Sequence, residues 1–245
     1  MGCKPCDGVS RISAQAFPRN GDLASNLDIA LPGFAERIPP PDWNQNRVFA
    51  YVLTTIKIDG KAFVQTGSAP NFQGGLITLC TCMRYHRTWW KTWKGTWVAG
   101  FCGKNWPCGN QLFYLMQVAQ EYDSQFDLWN DLSTTARNAK SATRDRFGDV
   151  YEPNTTTHAM RYDPDTYLRP IDKSPENSHV HLRKDDWKQD ICYRYPQLDH
   201  KMPKLLVGDP DRSFLWRRPK YSYIGRQHPR NKVYSSLAEF YRKLK

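Results

Sequence analysis

Four of the seven cysteines, Cys80, Cys82, Cys102 and Cys108, lie within residues 80–110. Thiolates at hairpin ends can meet across a sheet and hold zinc. Cys80 and Cys82 on one extended strand would point to the same face, so both could ligate. Their spacings, CxC and Cx5C, are not those of a zinc knuckle. Cys3-Lys4-Pro5-Cys6 has the knuckle spacing and could supply a second pair. The alternative is that these thiols are small core residues. Cys80 could also act as a nucleophile with His86 as its base. Further on, His179-Val180-His181 sets two imidazoles on one face of an extended segment, with Asp185, Asp186 and Asp190 following. That pattern suits a metal pair or an acid–base pair with His179 as proton carrier. It also suits a solvated polar loop.

The same 80–110 stretch holds five of the nine tryptophans, and it contains no acid. Arg84, Arg87 and Lys91 alternate with Trp89 and Trp90. Cations beside flat rings suit a polyanion that also carries bases, because the cations meet phosphates and the rings stack. A buried aromatic strand pair with a basic rim would read the same way. Residues 212–245 add ten Lys plus Arg against the single acid Glu239. Arg217 and Arg218 are the candidates there for phosphate contact.

The elements that must carry these residues follow from composition and period. With 245 residues, 40% apolar, the chain can bury one large core. A net charge of +11 favours an anionic partner, with nucleic acid first. No apolar run reaches membrane-span length, and Cys6 breaks a myristoylation start, so the chain reads as soluble and cytoplasmic with reduced thiols. Residues 1–46, with Pro39-Pro40-Pro41, read as an irregular arm. Strands are expected at 48–58, 75–82, 96–102, 111–122 and 203–209, with an extended segment at 214–225. Phe126, Trp129 and Leu132 predict a helix over 123–138. Residues 139–203 are polar and proline-broken, which predicts long loops. Ser236 with Glu239 makes a capping box for a helix over 235–245.

Several of these segments occur in an order that is informative as a set. They are APNF (69–72), GGLITLCTC (74–82), Arg87, KGTWVAG (94–100), NQLFYLMQV (110–118), FDLWND (126–131), FGDVYEP (147–153), LLVGD (205–209) and YSYIG (221–225). This order resembles the second of the nucleotide-modification-associated domain families, found in phages and bacteria beside DNA-modification genes. The family pattern runs APNPF, GxxTLAxC, an Arg-rich stretch, GDWVVG, a GxLVYAMRV strand, YGDNIY and a late LISD. Here Phe72 stands where the pattern has Pro, Thr96 where it has Asp, and Gly208 where it has Ser.

The resemblance spans about residues 47–225 and implies that 1–46 is an arm and 226–245 a basic C-terminal helix. Its strands are similar to those of PUA and ASCH barrels, which implies an α+β fold: a mostly antiparallel, partly closed β-barrel with flanking helices and long loops. It implies an enzyme acting on an already modified base in DNA, extruded from the stack, alongside other proteins of a DNA-modification gene cluster. Asp149 and Asp209 sit in its motifs, where a carboxylate can read a guanine-like edge, activate water, or simply cap a turn. The chain has no GxGxxG and no Walker loop, so no cofactor beyond zinc is called for, and hydrolysis or hydration leads over redox or kinase chemistry. The most concrete expectation is conversion of a 7-deazaguanine nitrile to its amide. The rivals are a non-catalytic reader of a modified base and a phage-defence or RNA-binding module.

Overall fold

The computed structural model describes residues 26–53, 56–59, 62–65, 69–103, 110–141, 149–168, 186–225 and 229–245. Cys3, Cys6, Cys108, His179, His181 and Asp185 lie outside the described residues. Among the described residues, eight strands and six α-helices alternate with short 3-10 turns. The strands are β1 (Val48–Leu53), β2 (Ile56–Asp59), β3 (Ala62–Gln65), β4 (Thr78–Leu79), β5 (Trp97–Cys102), β6 (Leu112–Tyr122), β7 (Leu205–Leu215) and β8 (Lys232–Tyr234). The helices are α1 (Leu31–Arg37), α2 (Asp42–Gln45), α3 (Gln125–Asp131), α4 (Thr134–Ser141), α5 (Gln189–Cys192) and α6 (Leu237–Tyr241). Among the described residues no helix is long and apolar enough to cross a membrane.

The expected α+β class holds, but the barrel does not. One six-stranded sheet runs β4–β7–β6–β5–β1–β8, and β2 pairs only with β3. Closure needs edge strands that can pair with each other at the right stagger. Here the edges are β4 and β8, of two and three residues, and they stay open. The β1–β8, β2–β3, β4–β7 and β5–β6 pairs are antiparallel, while β1 and β5 run parallel from Val48↔Trp97 to Leu53↔Cys102.

The chain divides into two compact units. The first comprises Met1–Thr66, Gly95–Val118 and Gly208–Lys245, and the second Gly67–Lys94 and Ala119–Val207. In the first unit β5 is buried along its whole length and Leu112–Val118 of β6 are buried too. Strands covered on both faces lose the alternation that marks a half-buried strand, which is why 111–122 has no clear period. Gly100 lies between the Tyr114 ring and the Leu53 side chain, where a Cβ would stand 2.2 Å from Tyr114 Cε1 and 2.6 Å from Leu53 Cδ1. That close approach fixes the glycine of the KGTWVAG motif. Gly208 is fixed similarly, since a Cβ there would stand 2.6 Å from Ser213 Oγ.

The core of this unit is built from Phe34, Trp97, Phe101, Leu112, Phe214, Trp216 and Phe240, among others. Of the segment 1–46, expected to be irregular, residues 26–46 are described, and they include helix α1 with the buried Phe34. Phe34 meets Phe214 edge-on at 4.7 Å, and Pro32 favours the first turn of its helix. The expected 48–58 strand ends at Leu53, and β2 then turns back on β3. The β8 strand, which pairs with β1, was not anticipated. Helix α6 starts as expected, with Ser236 Oγ accepting the Glu239 N–H, while Glu239 binds back to Ser235.

In the second unit elements are short. Helix α3 is capped by Ser124 and buries Phe126, Leu128 and Trp129. Helix α4 packs so closely on the 73–75 turn that a Cβ on Gly74 (φ +76) would stand 2.8 Å from Ala136 Cα. One core holds Cys80, Leu128, Leu132, Ala136, Val150 and Leu205, and another holds Phe126, Tyr151, Tyr167, Trp187 and Ile191. The expected 75–82 strand shrinks to Thr78–Leu79, paired with Val207 and Leu206. It stops there because the next two amides turn to a carboxylate instead of a strand partner.

Candidate functional site

That carboxylate is Asp149, which is fully buried in the second unit. Its Oδ1 accepts from Cys80 N at 2.7 Å, Thr81 N at 3.0 Å and Thr81 Oγ1 at 3.2 Å. The carbonyls of the same turn are held by Arg87, also fully buried. Arg87 Nη2 donates to Cys80 O at 2.5 Å and Nε to Cys82 O at 2.8 Å, and Nη1 donates to Lys204 O. Trp93, sealed from solvent, donates its indole N–H to Arg87 O at 3.1 Å. Residues 80–82 are therefore clamped from both sides, amides by an acid and carbonyls by a base. Met83 follows at φ +56, a left-handed residue that redirects the chain. The next side chain is Arg84.

Arg84 is 14% exposed and donates to Asp190 Oδ1 at 2.6 Å. The other oxygen, Asp190 Oδ2, accepts from Tyr151 OH at 3.0 Å. The Arg84 guanidinium also lies over the Tyr193 ring, 5.1 Å from its centroid. Arg84, Asp190 and Tyr193 line a cleft together with Cys80, Ser124 and Gln125. In this form the cleft admits little more than a water molecule. Gln125 ties its floor to the FGDVYEP motif by donating to Asp149 O and accepting from Tyr151 N, both at 3.2 Å.

Behind the clamp, the buried Lys140 Nζ donates to Asn71 Oδ1 at 3.0 Å, Leu76 O at 3.2 Å and Thr78 Oγ1 at 3.3 Å. Burial lowers its pKa from 10.5 to about 8, against the pull of Asp149. Burial pushes the Asp149 carboxyl up, opposed by the Cys80 amide. Burial, then the Asp149 charge, pushes the Cys80 thiol well up. A thiol held protonated is a poor nucleophile, so Cys80 belongs with the core. Burial also raises Tyr151 well above its ordinary value, with Asp190 adding to it, so Tyr151 stays a hydrogen-bond donor.

The residues singled out in the sequence separate in the structure. Arg84 lines the cleft with part of its side chain exposed, whereas Arg87, expected on phosphate, borders the cleft but is fully buried and engaged with three carbonyls. Asp149 is a backbone clamp and does not line the cleft. Asp209, in the first unit, accepts from Asp211 N at 2.9 Å and pairs with Arg212 at 3.4 Å, the geometry of a turn aspartate. Arg217 in that unit is bound to Asp28 at 2.7 Å, and Arg218 is exposed. Trp89 and Lys91 are exposed and Trp90 is half-buried, its ring tilted 52° against Trp93 with centroids 4.3 Å apart. The zinc expectation meets no ligand cluster among the described residues. Cys82 Sγ donates to Ala69 O in the second unit, while Cys102 Sγ donates to Ile56 O in the first. Asp190 entered the sequence reading only as an orienting carboxylate for histidines. Tyr151, Gln125 and Lys140 did not enter it, although Tyr151 stands two residues after Asp149 in FGDVYEP.

Comparison with curated proteins and with solved structures returned no match. The family profile described as nucleotide modification associated domain 2 matches residues 45–189, more than half of the chain. This range contains the buried residues Cys80, Thr81, Arg87, Lys140 and Asp149, together with Arg84 and Gln125 of the cleft and Tyr151, which donates to Asp190. The chain belongs to the nucleotide modification associated domain 2 family.

Proposed function

We propose that this protein modifies a base already altered in DNA, and that the Arg84–Asp190 cleft of its second unit is where it does so. The family supports a role in nucleic acid modification. The observation that carries the cleft is the Arg84–Asp190–Tyr151 triad, a guanidinium, a carboxylate and a phenol in contact beside a space for water. The most concrete chemistry is hydration of a nitrile on a 7-deazaguanine to its amide. Water oxygen bonds to the nitrile carbon as one C–N π bond opens. One water proton passes to a base and one proton reaches the nitrogen, and tautomerisation completes the amide. Asp190 is the base in this reading, held in place by Arg84 and Tyr151, and Arg84 polarises the group under attack. Asp149 and Arg87 act by positioning, since they hold the turn that presents Arg84.

A second reading, a non-catalytic reader, draws on the narrowness of the cleft. A guanidinium beside a carboxylate complements the acceptor and donors on a guanine-like edge, and such pairing can occur at a surface. Mass spectrometry of DNA nucleosides with and without the gene separates the two. An enzyme leaves an unhydrated precursor to accumulate when the gene is lost. A reader leaves the nucleoside profile unchanged, and the purified protein then prefers oligonucleotides carrying the modified base.

A further inference from the structure

Beside the cleft mouth the second unit carries a connected row of aromatic rings. Tyr193, under the Arg84 guanidinium, meets Tyr195 edge-on at 4.7 Å. Tyr195 meets Tyr85 at 5.6 Å, and Tyr85 meets Trp89 at 6.2 Å. Tyr85 is 44% and Trp89 42% exposed, among the most exposed large apolar side chains described. Rings that meet edge to face, here at 72–88°, occupy at most one face in each pair, and Tyr85 and Trp89 keep part of their ring surface in solvent. The surrounding charge is positive. Lys91 and Lys94 are exposed, no acid occurs in 83–94, and Arg194 lies between Tyr193 and Tyr195.

We propose that this row is a stacking ledge for a single-stranded DNA segment, so that the strand reaching the cleft is unpaired. Base faces are available to aromatic rings only when the bases are unstacked, and a duplex hides them. Duplex reading needs a helix or ribbon that enters a groove. The longest helix described in the second unit, α4, has eight residues, and one of its side chains is the buried Lys140. The basic side chains between the rings meet the phosphates, while the rings accept any base. The proposal rests on DNA being the partner, as in the reading above, and is independent of the hydration chemistry.

The test is fluorescence anisotropy with four labelled probes: a dT strand, an rU strand and an abasic strand of equal length, and a hairpin duplex. The abasic strand keeps the phosphates and removes the faces. The wild-type protein should bind dT roughly 5- to 100-fold more tightly than the abasic strand, the span of about one stacked base. The Y85A/W89A double variant should lose that preference while its salt dependence stays the same. Equal wild-type affinity for dT and abasic strands, or tighter binding of the duplex, overturns the ledge without needing any variant. A tighter grip on an rU strand than on dT overturns the assignment to DNA. If the ledge fails while loss of the gene still changes the nucleoside profile, only the ledge is withdrawn.

Discussion

In the first unit the largest side chains sealed from solvent include Trp97, Trp216, Phe34 and Phe101, which share one apolar core. In the second, the sealed residues include Arg87, Lys140, Asp149 and Asp190, which are all the buried charged side chains among the described residues. An apolar core tolerates a change of shape if volume is kept. A buried ion tolerates much less, because each donor and acceptor left over carries the cost of its desolvation. Charges are thus gathered where a turn must be held in one geometry, and the apolar unit carries none. Arg84, the side chain proposed to act on the base, follows that turn after Met83.

The largest test of this contrast is Arg87→Met. It leaves the carbonyls of Cys80, Cys82 and Lys204 without their donor, at about 1–3 kcal/mol each when buried. A loss of roughly 3–5 kcal/mol is expected in denaturant titration, with the faster hydrogen exchange confined to the second unit. A variant within 1 kcal/mol of wild type would remove the clamp from the account. Asp149→Ala frees two amides and a hydroxyl and should cost about 2–3 kcal/mol.

Lys140 sharpens the contrast through pH. Its folded pKa of about 8 lies below the unfolded 10.5. Between those values the unfolded chain holds a proton that the folded chain has released, so stability rises with pH. From pH 8 to 10 the gain from this group should be roughly 2–3 kcal/mol. Lys140→Met should flatten that slope, and an unaltered slope would mean the amine is not buried as described. The smallest effect is expected in the first unit. Asp209→Asn keeps the acceptor for Asp211 N and weakens only a part-exposed pair with Arg212, so stability should change by less than about 1 kcal/mol. The nucleoside profile should not change at all. A large loss of activity in that variant would move the site to the first unit.

Much of the fold could be read from local pattern. β5, the α3 helix and the α6 cap each follow from residues a few positions apart. β4 could not be read, because its end depends on Asp149, 69 positions from Cys80. Open edges in place of a barrel depend on pairing partners that the period of a strand does not name. The site was legible in type and not in role. Arg84 and Arg87 are the same residue three positions apart in one basic stretch, and only burial assigns one to the cleft and the other to the clamp. The tryptophans divide likewise, with Trp93 in the core and Trp89 at the surface. Asp190 meets Arg84 across 106 positions, and no spacing announces such a pair.

The central claim is that Arg84, presented by the clamp, serves the base and not the fold. It is tested most directly by Arg84→Met in the native gene, with the purified variant checked by thermal melting. Arg84 lies outside the clamp but is a partner of the buried Asp190, so the variant should melt below wild type, and its DNA is analysed from cells grown well below that melting temperature. Its DNA nucleosides should match those of a strain lacking the gene, with the same precursor accumulating. A folded Arg84→Met protein whose nucleoside profile equals wild type, while loss of the gene changes it, would contradict the account.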